Sequence, residues 1–168
     1  MALVFDSLGD VKNYIAGNPS KVKLTNGKTI VSIIQLEAER LAKCIERKIA
    51  EYYTSFTPEE YNRTMDLINA VRVSAVVTKE NIISAKVYFD DSAIKPSVLG
   101  GEDGFTPVLM NYGWSVDSGW HKDIENFGYK PGAKFIESAI EDFQKQNNYG
   151  LKVQVSVDAP GISEIWDF

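Results

Sequence analysis

An apolar stripe at helical spacing, from Ile30 to Phe56, constrains the fold more than any other feature of the sequence. Its members recur at alternating steps of three and four residues: Ile34, Ala38, Leu41, Ile45, Ile49, Tyr52 and Phe56. This spacing puts them on one face of an α-helix, with charged residues between them. At ~1.5 Å per residue the helix is about 40 Å long, which is more than a compact domain of this size needs. The pattern predicts a long helix with surface to spare for another subunit.

A helix-start signal follows the stripe directly. Thr57-Pro58-Glu59-Glu60 offers a hydroxyl N-cap, a proline where its missing N–H costs nothing, and a glutamate that can close a capping box. It predicts a second helix with Tyr61, Met65 and Ile68 in the core. Leu67 is a further core candidate.

The hydrophobic period then changes to that of β-strands. Apolar residues alternate with polar ones in two runs, which hold Val71, Val73, Ala75 and Val77, and then Ile83, Ala85, Val87 and Phe89. Alternation of this kind is typical of strands that bury one face. The two runs predict an antiparallel hairpin that turns at residues 79–81 and carries these apolar residues on one face.

Residues 90–131 have no sustained period and are punctuated by glycine and proline. A structureless segment of about 40 residues is rare in a compact domain unless it is functional or ordered by a partner, so we expect a loop that orders on assembly. Residues 105–112 are a candidate short strand within it. Beyond the loop, an apolar stripe predicts a helix over residues 133–147, and alternation predicts a strand over residues 151–158.

A short predicted helix over residues 6–15 and a turn at Asn26-Gly27 complete the chain. The elements together predict a single α+β domain, residues 1–168, in which a long N-terminal helix and shorter helices pack on a small, mainly antiparallel sheet. It consists of an N-terminal extension (1–28), a core (29–158) that includes the loop 90–131, and a C-terminal tail (159–168).

Composition limits the compartment and the partners. The formal net charge of -5 argues against broad attraction to nucleic acid or to an anionic membrane, and leaves room for local basic patches. No apolar run approaches the ~20 residues of a membrane span, and the N-terminus lacks the basic start of a signal peptide. Cys44 is the only cysteine, which excludes an intrachain disulfide. These features predict a cytoplasmic protein.

Candidate catalytic and ligand-binding groups are few. His121 is the only histidine, which leaves a Ser-His-Asp triad or a histidine-rich metal site one imidazole at most. Asp90-Asp91 and Glu102-Asp103 lack the spaced oxygen pattern of an EF-hand loop and are typical of solvated turns. A hydrolase based on these carboxylates is the alternative from another functional class. No P-loop or dinucleotide fingerprint occurs. We therefore expect no catalytic residue, no cofactor and no metal.

Aromatic and apolar residues in the loop and the tail are the candidates for an interface. They are Tyr112, Trp114, Trp120, His121 and Phe127 in the loop, and Ile165, Trp166 and Phe168 in the tail. Tryptophan and tyrosine are favoured anchors in protein interfaces. The alternatives are that the loop aromatics anchor the loop to its own core or bind a ligand. The tail either folds back on its own domain or docks on a neighbour, with strand addition as one mode.

The sequence resembles a family of minor virion proteins of tailed bacteriophages, described as tail components, head-tail joining or tail-completion proteins. The similar motifs are Tyr52-Tyr53 leading into Pro58, Tyr61-Asn62-Arg63-Thr64, Asn111-Tyr112-Gly113-Trp114 and Lys134-Phe135-Ile136-Glu137-Ser138-Ala139-Ile140. They occur in the family's order, and the similarity extends over residues 34–157. The chain differs in lacking the glycine that many members carry before the hairpin.

The resemblance implies a non-enzymatic structural protein of the virion, assembled in the host cytoplasm. Members form homo-oligomeric rings, and six-fold or twelve-fold closure would follow from heterologous contacts between copies. The implied partners are portal or adaptor proteins and tail-tube or tail-terminator proteins, at the head-tail junction. No membrane and no sequence-specific nucleic acid are implied, although a ring lumen could pass DNA. A tail terminator or a minor capsid protein is the second interpretation within the same class.

Overall fold

A computed structural model describes residues 8–24, 26–55, 65–80, 82–94, 106–115, 129–159 and 162–167. The helices are α1 (Leu8–Gly17), α2 (Ile30–Thr54), α3 (Asp66–Asn69), α4 (Thr106–Tyr112) and α5 (Phe135–Gln144), with a 3-10 turn at Asp91–Ala93. The strands are β1 (Val71–Val73), β2 (Val77–Lys79), β3 (Ile82–Ser84), β4 (Val87–Phe89), β5 (Gly113–Ser115), β6 (Tyr129–Pro131), β7 (Gln154–Ala159) and β8 (Ile162–Asp167). This combination of helices and antiparallel strands confirms the α+β class.

The described strands form four two-stranded sheets where the sequence predicted one small sheet. They pair as β1 with β4, β2 with β3, β5 with β6, and β7 with β8. Strands β1 to β4 together make the central hairpin, residues 71–89, and strands β7 and β8 make the C-terminal hairpin, residues 154–167. Each strand pairs with one partner that is close in sequence, and none of the described pairs shares a third strand.

The chain divides into two compact units. One comprises Met1–Ala42 and Arg72–Tyr88, and the other comprises Lys43–Val71 and Phe89–Phe168. The prediction of a single domain is not tested by this division and stays a prediction.

Helix α2 confirms the long helix predicted from the apolar stripe. Thr29 caps its start, because the Ser32 N–H donates to Thr29 Oγ1 over 3.1 Å. The buried face of the helix consists of Ile33, Ala42, Ile45, Ile49 and Tyr53. Ile45 and Ile49 belong to the predicted stripe, whereas the other three lie one residue beside it.

Helix α5 supplies the largest share of the core in the second unit. Phe135, Ala139, Ile140 and Phe143 are each no more than 2% exposed, as the stripe predicted. The Phe135 ring packs edge-on against Phe89 with 6.2 Å between the ring centroids. This contact joins α5 to the end of β4.

Two local predictions around the short helices are wrong. Met65 was predicted in the core but is 46% exposed, because it precedes α3 with a left-handed backbone (φ 59) and does not lie in a helix. Leu67 takes the buried position. The predicted strand at residues 105–112 is helix α4, whose first turn holds Pro107, where a missing N–H costs nothing. The cap Thr57–Glu60 and Tyr61 lie outside the described residues.

The predicted loop and tail are partly regular structure. Within residues 90–131, the described parts form the 3-10 turn, α4, β5 and β6. Ordering on assembly stays a prediction. The tail folds back on its own chain, because β8 pairs with β7 over six residues, from Gln154 opposite Asp167 to Ala159 opposite Ile162. This confirms the first of the two alternatives for the tail.

Candidate functional site

The central hairpin is one two-stranded ribbon interrupted by a β-bulge. The Ser74 N–H donates to the Lys86 carbonyl over 2.8 Å, and Val77 lies opposite Ser84. Three steps separate the first pair from the second on one strand, but two steps separate them on the other. The extra residue is in Ala75-Val76, and such a bulge changes which face the following side chains occupy.

The bulge turns Val77 to the outside of the ribbon. Before the bulge, Val71 is buried and Val73 is half-buried, while Arg72 is exposed. After it, Val76 is half-buried and Val77 is 52% exposed. The prediction that Val77 lies on the inner face is therefore wrong, because strict alternation does not account for an inserted residue.

The other strand of the ribbon keeps the predicted alternation. Ile83, Ala85, Val87 and Phe89 are all half-buried, whereas Ile82 is 66% exposed. Ile83 lines a cavity of about 300 Å³ together with residues of α1, which are Gly9, Lys12, Asn13, Ile15 and Ala16. The inner face of the ribbon is thus directed at α1, and the opposite face is open to solvent.

This opposite side, the outer face, combines cations with exposed apolar groups. It consists of Arg72, Val77, Lys79, Ile82, Ser84, Lys86 and Tyr88, all exposed. Val77 and Ile82 are diagonal neighbours, since Val77 pairs with Ser84 and Lys79 with Ile82. The hairpin holds three of the 18 cations of the chain and, in Glu80 at its turn, one of the 23 acids. It is therefore positive within a chain of net charge -5.

The edges of this ribbon are also open. Each of its strands has one partner among the described residues, so a row of backbone N–H and C=O groups points away from the pair on either side. An exposed edge is a template for pairing with another chain unless charge or coverage prevents it. The outer face and the open edges make the central hairpin the candidate functional site.

A second feature joins two motifs that carry the family resemblance. Asn111, which is fully buried, accepts a hydrogen bond at Oδ1 from the Ile136 N–H over 2.9 Å. Its Nδ2 donates to Glu137 Oε2 over 2.8 Å. Lys134, at the N-cap of α5, has no capping side chain, so Asn111 from α4 supplies the missing acceptor. The Asn-Tyr-Gly-Trp and Lys-Phe-Ile-Glu motifs therefore have a structural reason to occur together.

An ion cluster connects α2 to α5. Asp142 accepts from Lys145 Nζ over 2.8 Å, from Lys48 Nζ over 3.0 Å and from Arg47 over 2.9 Å. The hydrogen bonds from Lys145 and then Lys48 lower the pKa of Asp142 to about 2. Asp142 and then Glu51 raise the pKa of Lys48. The cluster lies at the surface, and its role is to fasten one helix to the other.

The structure places some of the predicted interface residues. Tyr112 ends α4 and is half-buried, and the backbone of Trp114 lies in β5 opposite Lys130. Ile165 and Trp166 lie in β8, opposite Ser156 and Val155. Trp120, His121, Phe127 and Phe168 lie outside the described residues. The loop group and the tail group thus belong to two separate strand pairs.

The outer face was missed at the level of sequence, although a signal for it exists. Each strand of the hairpin contains two adjacent β-branched residues, Val76-Val77 and Ile82-Ile83. Adjacent residues in a strand point to opposite faces, so each pair puts one apolar side chain outside. Reading these pairs as one-sided alternation concealed the apolar part of the outer face.

The acids proposed for a hydrolase are partly accounted for by local structure. Asp90 Oδ1 accepts from the Ser92 N–H over 3.2 Å and from Ser92 Oγ over 2.6 Å, which caps the 3-10 turn. Glu102 and Asp103 lie outside the described residues. Within the described ranges, no group of three or more His, Cys, Asp or Glu is placed to hold a metal ion. None of the described helices has the length and hydropathy needed to cross a bilayer.

Comparison of the chain with models of protein families, with curated proteins and with solved structures found no match.

Proposed function

We propose that this chain is a non-enzymatic structural protein of a tailed-phage virion that assembles with copies of itself into a ring at the head-tail junction. The observation that carries the proposal is the outer face of the central hairpin, where Val77 and Ile82 stand exposed among three cations. Grouped apolar side chains rimmed by charge mark contact surfaces in soluble proteins. The place in the virion rests on the family resemblance.

The two described features around the motifs agree with an assembly part. The Asn111 joint and the Asp142 cluster fasten α4 and α2 to α5, which makes a rigid support for strands. A ring subunit needs such rigidity because every contact is repeated around the ring and must close. Portal or adaptor proteins on one side and tail-tube or terminator proteins on the other are the proposed neighbours.

The test is the oligomeric state of the purified protein, followed by its binding to neighbours. Native mass measurement and negative-stain imaging should show rings of one stoichiometry, with six or twelve copies expected from heterologous closure. Labelled rings should bind portal and tail-tube proteins of the same virion. A protein that remains a monomer at high concentration, and that binds neither neighbour, would contradict the proposal.

A further inference from the structure

Charge indicates which surface the outer face fits. The outer face contributes Arg72, Lys79 and Lys86 and no acid. The C-terminal hairpin has the opposite composition, with Asp158, Glu164 and Asp167 and no lysine or arginine. Complementary charge steers association and fixes which surfaces meet.

The two hairpins also match in their apolar content and their open edges. Strand β8 carries Ile162, Ile165 and Trp166, and pairs with β7 alone among the described strands. Val77 and Ile82 on the outer face need apolar partners, which a strand of this composition supplies. Nucleic-acid phosphates would satisfy the cations but would leave these two aliphatic side chains exposed, so charge and hydrophobicity together favour a protein surface.

We infer that the outer face of the central hairpin in one copy docks on the C-terminal hairpin of the next copy. The contact is heterologous, since a basic surface of each copy meets a different, acidic surface of its neighbour. Repetition of such a contact closes into a ring when the rotation per subunit allows it. This inference rests on the proposed function and names the pair of surfaces through which the ring forms.

A charge-reversal experiment tests the pairing directly. Variant one carries Lys79→Glu and Lys86→Glu, and variant two carries Glu164→Lys and Asp167→Lys. A matched control carries Lys21→Glu and Lys28→Glu, which are exposed and change the net charge as variant one does, but lie off the outer face. Self-association is measured by analytical ultracentrifugation, and circular dichroism checks that each variant is folded.

Each variant alone should associate at least about tenfold more weakly than the wild type, because like charges then face each other in every contact. An equimolar mixture of the two variants should regain association, since alternating copies restore opposite charges at each contact. The control should associate as the wild type does. A chain with all four substitutions of the two variants should also assemble on its own.

Three results would overturn the inference. Variants that assemble as the wild type does would leave the proposed function standing and remove this contact from it. Wild-type protein that stays a monomer would remove both. Variant one that assembles normally but loses binding to a duplex DNA probe would assign the outer face to nucleic acid.

Discussion

At the scale of single residues, the joint between α4 and α5 leaves no room for a side chain at Gly132. A Cβ atom added there would overlap the carbonyl oxygen of Asn111 and the carbonyl carbon of Tyr112, both backbone atoms that cannot move aside. The Ala133 and Lys134 N–H groups donate to the Met110 and Asn111 carbonyls over 2.9 and 3.0 Å, so the two backbones are held in this close approach. Glycine is required here for space.

Gly132→Ala should therefore destabilise the protein by about 2 kcal/mol or more, since backbone must shift to admit the methyl group. Gly17→Ala is the matched control, because nothing lies within 4 Å of a Cβ at Gly17. It should be neutral or stabilise by up to about 1 kcal/mol through the unfolded chain. Urea denaturation followed by fluorescence measures both. Equal stability of the two variants would refute the close approach.

Asn111 acts at the same joint through its hydrogen bonds. Asn111→Ala removes the acceptor of the Ile136 N–H and leaves that group and Glu137 without the partner described, in a buried setting. We expect a loss of about 1–3 kcal/mol of stability in chemical denaturation. Glu137→Gln keeps an oxygen that accepts from Asn111, and should cost clearly less. A smaller effect for Asn111→Ala than for Glu137→Gln would contradict the capping role.

At the scale of elements, the bulge makes two adjacent isoleucines unequal. Ile82 is 66% exposed on the outer face, whereas Ile83 lines the cavity against α1. Ile83→Ser should lower the free energy of unfolding by about 1–3 kcal/mol, because it exchanges buried apolar surface for a hydroxyl. Ile82→Ser should change it by less than about 0.5 kcal/mol. Thermal and urea unfolding compare them, and a reversed order would show that the ribbon faces are assigned the wrong way round.

The ion cluster between α2 and α5 predicts a dependence on pH. The folded pKa of Asp142 is about 2, below its ordinary 3.8. Its contribution to stability is therefore fully present above the ordinary pKa of an unfolded aspartate, and is lost as the pH falls through about 2. The stability difference between wild type and Asp142→Asn should shrink steadily from neutral pH down to that value.

Denaturation midpoints of both proteins over this acid range measure the effect. Glu141→Gln, at the exposed neighbouring position, serves as the control for loss of one acid. A difference between wild type and Asp142→Asn that is constant across the acid range would show that the cluster does not hold the proton off Asp142.

The elements also show which parts of the fold the sequence could predict. Helix α2 and helix α5 were predicted because an amphipathic stripe over many residues has a single explanation. The bulge at Ala75-Val76 and the left-handed Met65 were not, since one inserted residue or one positive φ leaves no periodic signal. Helix α4 was missed although Thr106-Pro107 resembles the Thr57-Pro58 start signal, because its single turn of apolar residues fits a strand equally well.

The candidate site was less predictable than the fold for a related reason. Interface residues were sought among aromatics of the loop and tail, where anchors are common. The outer face instead depends on how side chains from two strands are combined, which the register of the central hairpin sets and composition does not. Its three cations are spread over fifteen residues of a chain that is negative as a whole, so no local charge run marks them.

At the scale of the whole molecule, the uneven distribution of charge predicts how assembly responds to salt. The central hairpin is positive, and the chain that bears it has a net charge of -5. Charges on exposed surfaces interact over a Debye length, which falls from about 10 Å at 0.1 M salt to about 3 Å at 1 M. Self-association through oppositely charged surfaces should therefore weaken by roughly tenfold over that range.

Sedimentation of the wild-type protein across a sodium chloride series measures this, and variant one with Lys79→Glu and Lys86→Glu provides the comparison. Its association, weak at low salt because like charges meet, should rise with salt as the repulsion is screened, so the two curves converge. Val77 and Ile82 keep a residual attraction at high salt, because burial of apolar side chains is not screened. Wild-type association that strengthens with sodium chloride would show that apolar contact, and not charge, selects the surfaces.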